Sequence, residues 1–81
     1  TYTAAYVELG YSLYKTQSYS EAEIKLLKAL SLNPKNENAH YYLILLYVSL
    51  RDKTNAQKWL NSLRALNSRY VAELEPKVNA L

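Results

Sequence analysis

At 81 residues the chain forms one domain at most, and a core of that size is stable only when it packs efficiently. It has no cysteine, one glycine and two prolines, which excludes disulfide staples and thiolate metal sites and favours helices over a turn-rich sheet. The net charge is +3, no apolar run approaches the ~20 residues that span a bilayer, and no signal peptide is visible. With no methionine at all, the sequence is expected to be a piece of a longer protein.

A first helix is expected over residues 3–16, with Tyr6, Leu9 and Leu13 at helical spacing. Gln17, Ser18 and Tyr19 make the turn. Ser20 is the expected cap of a second helix, with Glu23 three residues on in capping-box position. Ala22, Leu26, Ala29 and Leu30 mark that helix's buried side, and Asn33-Pro34 ends it, because a residue before proline is pushed out of the helical region. A third helix is expected over residues 37–50, a short turn over 51–53, and a fourth helix capped by Thr54 and running to Leu66. The fifth covers residues 69–80, with Val71, Leu74, Val78 and Leu81 on one stripe and Pro76 as a kink or restart.

The elements recur. Ala5, Leu9, Ala22, Leu26, Leu32 and Asn33 return as Ala39, Leu43, Ala56, Leu60, Leu66 and Asn67, an offset of 34 residues. A fixed period of that size means stacked supersecondary units whose apolar faces are buried by their neighbours. The expectation is an all-α fold, an α-α superhelix or solenoid of two helix-turn-helix repeats with a capping helix. The units are residues 3–36, a looser copy over 37–70, and the cap over 71–81, together one domain.

The first period resembles the tetratricopeptide repeat. That family reads Trp-x2-Leu-Gly-x2-Tyr, then Ala-x3-Phe, a further Ala and a Pro near the end. This chain has Tyr6, Leu9, Gly10, Leu13, Ala22, Leu26, Ala29 and Pro34 in the same order and spacing. Small residues at Gly10 and Ala22 let two antiparallel helices approach closely. In the second period Leu43, Tyr47, Ala56 and Leu60 hold the register, but His40 replaces the large aromatic, Ile44 the glycine and Leu63 the second alanine. Those larger side chains are expected to widen or rotate the second hairpin.

The chain has no constellation for catalysis, so no enzymatic activity and no cofactor is expected. His40 is the single histidine and lies where the resemblance places a core aromatic, which favours a packed structural role. Glu21 and Glu23 sit in a first helical turn, where the helix dipole and Lys25 account for them. Gly10 stands alone, so no phosphate-cradling loop is present.

A second apolar stripe carries more meaning. Val7, Tyr11 and Tyr14 lie at i, i+4, i+7 on the first helix, and Tyr41, Leu45 and Val48 repeat the pattern on the third. The third helix is therefore apolar around most of its circumference, with Asn38, Tyr42 and Ser49 as its polar edge, and must be covered on more than one side. The resemblance implies that first helices of the hairpins line a concave groove that takes a peptide or helix of a partner. These six residues are thus the candidate groove, and nine tyrosines with no phenylalanine suit a half-exposed surface. Self-association through the same faces is the alternative. Family members that grip acidic C-terminal tails of heat-shock chaperones place Lys and Asn on such positions; Val7, Tyr11, Tyr42, Ala72 and Pro76 stand there instead, so that clamp is not expected. Arg51, Lys53, Lys58, Arg64 and Arg69 make the second half basic. No aromatic platform is interleaved with them, which favours a solvated face over a nucleic-acid site.

Overall fold

A computed structural model describes all 81 residues and contains five helices and no strand: α1 (Tyr2–Lys15), α2 (Tyr19–Leu32), α3 (Glu37–Ser49), α4 (Lys53–Ala65) and α5 (Tyr70–Asn79). Each helix lies within about two residues of its expected span. Consecutive helices pack together, and α3 additionally packs on α1 and on α5. The helices are joined by short connections, and the one after α2 opens with an extended Asn33 ahead of Pro34, as the proline rule requires.

The turn inside each hairpin is the same structure twice. Gln17 and Arg51, one period apart, both adopt the left-handed conformation, with φ of 65° and 55°. After α1, the Ser18 amide donates to the Leu13 carbonyl (2.8 Å) and the Gln17 amide to that of Tyr14 (3.0 Å). After α3, Asp52 donates to Tyr47 (2.9 Å) and Arg51 to Val48 (3.0 Å). This pair of bonds is the Schellman closure, which satisfies the last helical carbonyls and reverses the chain. It also moves two expected caps. Ser18, not Ser20, precedes α2, and it makes no side-chain cap bond. Asp52, not Thr54, caps α4, its Oδ1 accepting from the Asn55 amide at 3.1 Å. Glu23 is free of any capping box and instead accepts the Tyr47 hydroxyl at 2.6 Å, tying α2 to α3.

Gly10 is the contact point of the first hairpin. A Cβ there would lie 2.6 Å from Cγ and 2.7 Å from Cδ2 of Leu26, which is fully buried. The second hairpin has Ile44 in that place, and α3 and α4 pack less closely along their length than α1 and α2. His40 is fully buried beside Ile44. Its Nδ1 lies 2.9 Å from the Asn36 carbonyl and so carries the proton, leaving Nε2 to accept from the Ser62 hydroxyl at 3.1 Å. Its ring meets Trp59 edge-on at 5.6 Å. α5 runs through Pro76 without a break, and the proline ring faces solvent.

The core contains Ala22, Leu26, Ala29, Leu43, Tyr47, Ala56 and Leu60, as the repeat pattern expects, together with Leu74 and Val78 from α5. Tyr6 and Leu13 are half-buried. Leu9 departs from the expectation. It is 44% exposed, whereas Leu43, its counterpart one period later, is fully buried. The cause is the set of neighbours: α1 packs only on α2 and α3, and nothing covers the side of α1 that carries Leu9.

Two stability outcomes follow. Leu43→Ala is expected to cost about 2 to 5 kcal/mol in a urea titration, the range for a buried leucine, and Leu9→Ala less than about 1 kcal/mol. Gly10→Ala gains about 1 kcal/mol of helix propensity but must displace Leu26, an overpacking of about 1 to 3 kcal/mol, so a net loss is expected. In a Leu26→Ala background the same glycine substitution is expected to become stabilising.

Candidate partner-binding face

Four tyrosines from three helices form a continuous strip. Tyr11 of α1 stacks on Tyr42 of α3 with ring centroids 4.5 Å apart and planes 29° apart. Tyr42 meets its neighbour Tyr41 edge-on at 5.5 Å, and Tyr41 lies 4.7 Å from Tyr70 of α5. Successive residues on a helix point about 100° apart, so Tyr41 and Tyr42 face different neighbours and carry the strip across α3. Both ends are basic: Lys15 sits 5.3 Å from the Tyr11 ring centroid and Arg69 lies 5.6 Å from that of Tyr70, in reach of a cation–π attraction.

Hydrogen bonds hold the rings in place. The Tyr41 hydroxyl donates to the Glu73 carboxylate and the Tyr70 hydroxyl to Asn38 Oδ1 at 3.2 Å, two links between α3 and α5. The bond to Glu73, reinforced by burial, pushes the Tyr41 hydroxyl up to about 12. Tyr42 is also raised, chiefly by burial and then by Tyr11 and Tyr70. Away from the strip, burial and the Glu23 bond raise Tyr47 further still.

The six residues of the expected groove divide. Tyr11 and Tyr41 belong to the strip and are joined through Tyr42. Leu45 and Val48 are half-buried, packed against the core from α3. Tyr14 turns toward Tyr19 of α2, with centroids 6.0 Å apart. Val7 is buried in the core and is not available at the surface, because α1 turns Val7 and Gly10 inward together. None of the six lines either of the two surface clefts. The larger cleft, about 600 Å³, is polar and bounded by Asn36, Glu37, Asn38, Asn67, Arg69 and Tyr70, at the α5 end of the strip.

Tyr42 and Tyr70 are the surface residues that sequence reasoning missed. Tyr42 looked like part of a polar edge, and its partner Tyr11 is 31 residues away. Contrary to the expectation that no aromatic is interleaved with the basic residues, Trp59 and Tyr70 stand among them: Lys58 lies over Trp59 and Arg69 over Tyr70, while Arg64 is paired with Glu75. No three histidine, aspartate or glutamate side chains cluster in metal-binding geometry, and no helix is long and apolar enough to cross a membrane.

With the geometry in hand, comparison with known proteins assigns no relationship: no protein-family model, curated protein or solved structure matches the chain.

Tyr41 and Tyr47 set an alkaline limit on the fold. A hydroxyl whose folded pKa is raised above its ordinary 10.0 contributes stability that is complete below that value. The contribution is lost as pH rises through the folded value, about 12 for Tyr41 and higher for Tyr47. Unfolding free energy is therefore expected to fall above pH 10.0, and Tyr47→Phe to flatten that fall. Denaturant titrations across this range, with tyrosinate absorbance followed in parallel, check both.

Proposed function

We propose that the chain is a protein-interaction module built of two tetratricopeptide-like hairpins and a closing helix, and that it holds a peptide or helix of a partner protein against the Tyr11–Tyr42–Tyr41–Tyr70 strip. The observation that carries this reading is the strip itself. Four aromatic rings from α1, α3 and α5 meet at the surface in one unbroken run of ring contacts. Tyrosine offers a large rigid apolar face at a low ordering cost, which is the chemistry of interaction hot spots. Of the six expected groove residues, only Tyr11 and Tyr41 belong to this face; Leu45 and Val48 pack on the core from α3, Tyr14 turns to Tyr19, and Val7 is buried.

Three features favour the repeat reading. The hairpin turns are duplicated bond for bond, Gly10 and Ala22 sit at the close approach of α1 and α2, and the helices pack in serial order with α1, α3 and α5 side by side. A row of that kind presents its odd-numbered helices on one side, and the strip lies there.

The partner occupies the strip as an extended or helical segment with apolar side chains, and the polar cleft at Asn38 and Arg69 takes the hydrogen-bonding end of that segment. Tyr41→Ala is expected to weaken partner binding by about 2 kcal/mol or more, roughly thirtyfold, with the helical circular dichroism retained. Ile24→Ser, on the exposed side of α2, is expected to leave binding unchanged. Equal affinity in both variants sinks the proposal. Sedimentation of the isolated chain separates the alternative use of this face: a dimer that Tyr41→Ala dissolves makes it a self-association surface.

A further inference from the structure

Nine tyrosines compete for any oxidant that reaches this chain, and their surroundings rank them. A neutral phenol gives up an electron readily only when its proton can leave with it, so a carboxylate that already accepts the hydroxyl lowers the barrier. Two of the nine meet that condition: Tyr41, which donates to Glu73, and Tyr47, which donates to Glu23 at 2.6 Å. Tyr47 is sealed in the core at 3% exposure and takes part in no tyrosine–tyrosine contact. Tyr41 is half-buried at the surface and touches two other tyrosine rings, Tyr42 and Tyr70.

Ring geometry decides where the oxidation ends. A tyrosyl radical takes an electron from a phenol packed against it, and two adjacent radicals join through the ring carbons ortho to oxygen. Tyr11 and Tyr42 are the closest and most nearly parallel pair, 4.5 Å between centroids and 29° between planes. Tyr41 and Tyr70 are tilted by 41°, and their hydroxyls are tied to Glu73 and Asn38, which holds both rings. Tyr14 and Tyr19 are 6.0 Å apart and tilted by 47°. Tyr11, 37% exposed at the end of the strip, has room to turn its ortho carbon onto that of Tyr42.

We infer that the strip is a site of oxidative cross-linking: a diffusible one-electron oxidant, of the class that peroxidases generate, enters through Tyr41, and a carbon–carbon bond forms between Tyr11 and Tyr42. Tyr41 loses an electron to the oxidant and its proton to the Glu73 carboxylate. Tyr42 then supplies an electron to the Tyr41 radical and releases its own proton to water, while Glu73 returns the first proton to Tyr41. A second equivalent of oxidant takes an electron from the exposed Tyr11, whose proton also leaves to water. The two radicals couple at their ortho carbons, and the hydrogens displaced there restore both hydroxyls. In total two C–H bonds become one C–C bond, two electrons reduce the oxidant and two protons reach water. The product staples α1 to α3 and closes a long loop of chain, which restricts the unfolded state as a disulfide does. It requires no partner and is independent of the proposed binding role.

The full chain, illuminated briefly with ruthenium tris-bipyridine and persulfate, tests this by dityrosine fluorescence and peptide mass spectrometry. An intrachain cross-link between the peptides holding Tyr11 and Tyr42 is expected, lighter by two hydrogens, with a raised urea midpoint. Tyr42→Phe, which keeps the stacked ring, is expected to abolish that product. Glu73→Gln is expected to slow its formation several-fold. Asn38→Ala removes the other hydroxyl link between α3 and α5 and is expected to leave the rate unchanged, which separates a lost proton acceptor from a loosened α5. The inference is overturned by cross-links that map elsewhere or only join separate chains, by an intrachain product that survives Tyr42→Phe, or by Glu73→Gln and Asn38→Ala changing the rate alike.

Discussion

α3 has almost no polar side to give to water, and the rest of the fold is arranged around that constraint. Ala39, His40, Leu43, Ile44, Leu46 and Tyr47 are all buried along its length, and Tyr41, Tyr42, Leu45 and Val48 are half-buried between them. A helix of that kind cannot rest against one partner; it needs cover on several sides. In this chain α1, α2, α4 and α5 all pack on it. The polar groups that α3 does bury are each given a bond: His40 to Asn36 and Ser62, and Tyr47 to Glu23. No buried side-chain nitrogen or oxygen is left without a partner. That matters more here than in a large protein, because an unpaired buried group costs about 1 to 3 kcal/mol and a domain this size has little stability to spare.

Much of this was legible in the residues themselves. The 34-residue offset located both hairpins, and the apolar circumference of residues 37–50 required a helix surrounded by others. What escaped was decided by geometry that leaves no local trace. The caps moved because the chain reverses through left-handed Gln17 and Arg51, and neither is a glycine that would advertise the conformation. Glu23 looked like a capping partner for Ser20, but the Tyr47 hydroxyl that it accepts belongs to another helix and is 24 residues distant. Periodicity states which face of a helix is apolar without saying which neighbour will meet it. For that reason the pattern alone makes Tyr42 an edge residue and Leu9 a core one, whereas Tyr42 stacks on Tyr11 and Leu9 faces solvent.

The tyrosine strip and the core make different demands on similar residues. Tyr47 is buried with its hydroxyl committed to a carboxylate, and it joins α2 to α3. Tyr41 also donates to a carboxylate, Glu73, yet keeps part of its ring at the surface. The bond to Glu73 and the one between Tyr70 and Asn38 fix ring orientations on α3 and α5 before any partner arrives. Rings already held in place lose less freedom when a ligand binds, so the same bonds that dock α5 also preorganise the proposed face. By contrast the exposed Arg64–Glu75 pair, each side chain nearly half open to solvent, adds little to the docking of α5.

The two ends of the helix row are chemically unequal. α5 turns Leu74 and Val78 into the core and shows Ala72, Glu73, Pro76 and Lys77 to solvent, with no large apolar side chain exposed. α1 does the reverse on its outer side, leaving Tyr2 and Leu9 exposed with two lysines beside them. Burying the exposed part of Leu9 alone is worth on the order of 1 kcal/mol at the usual value per unit of apolar area. Adding Tyr2 and the half-buried Tyr6 and Leu13 brings that side of α1 to several kcal/mol. The exposed large apolar side chains therefore lie mostly on the first hairpin, as Tyr2, Leu9, Tyr11, Ile24, Leu27 and Leu32, and none lies on α5.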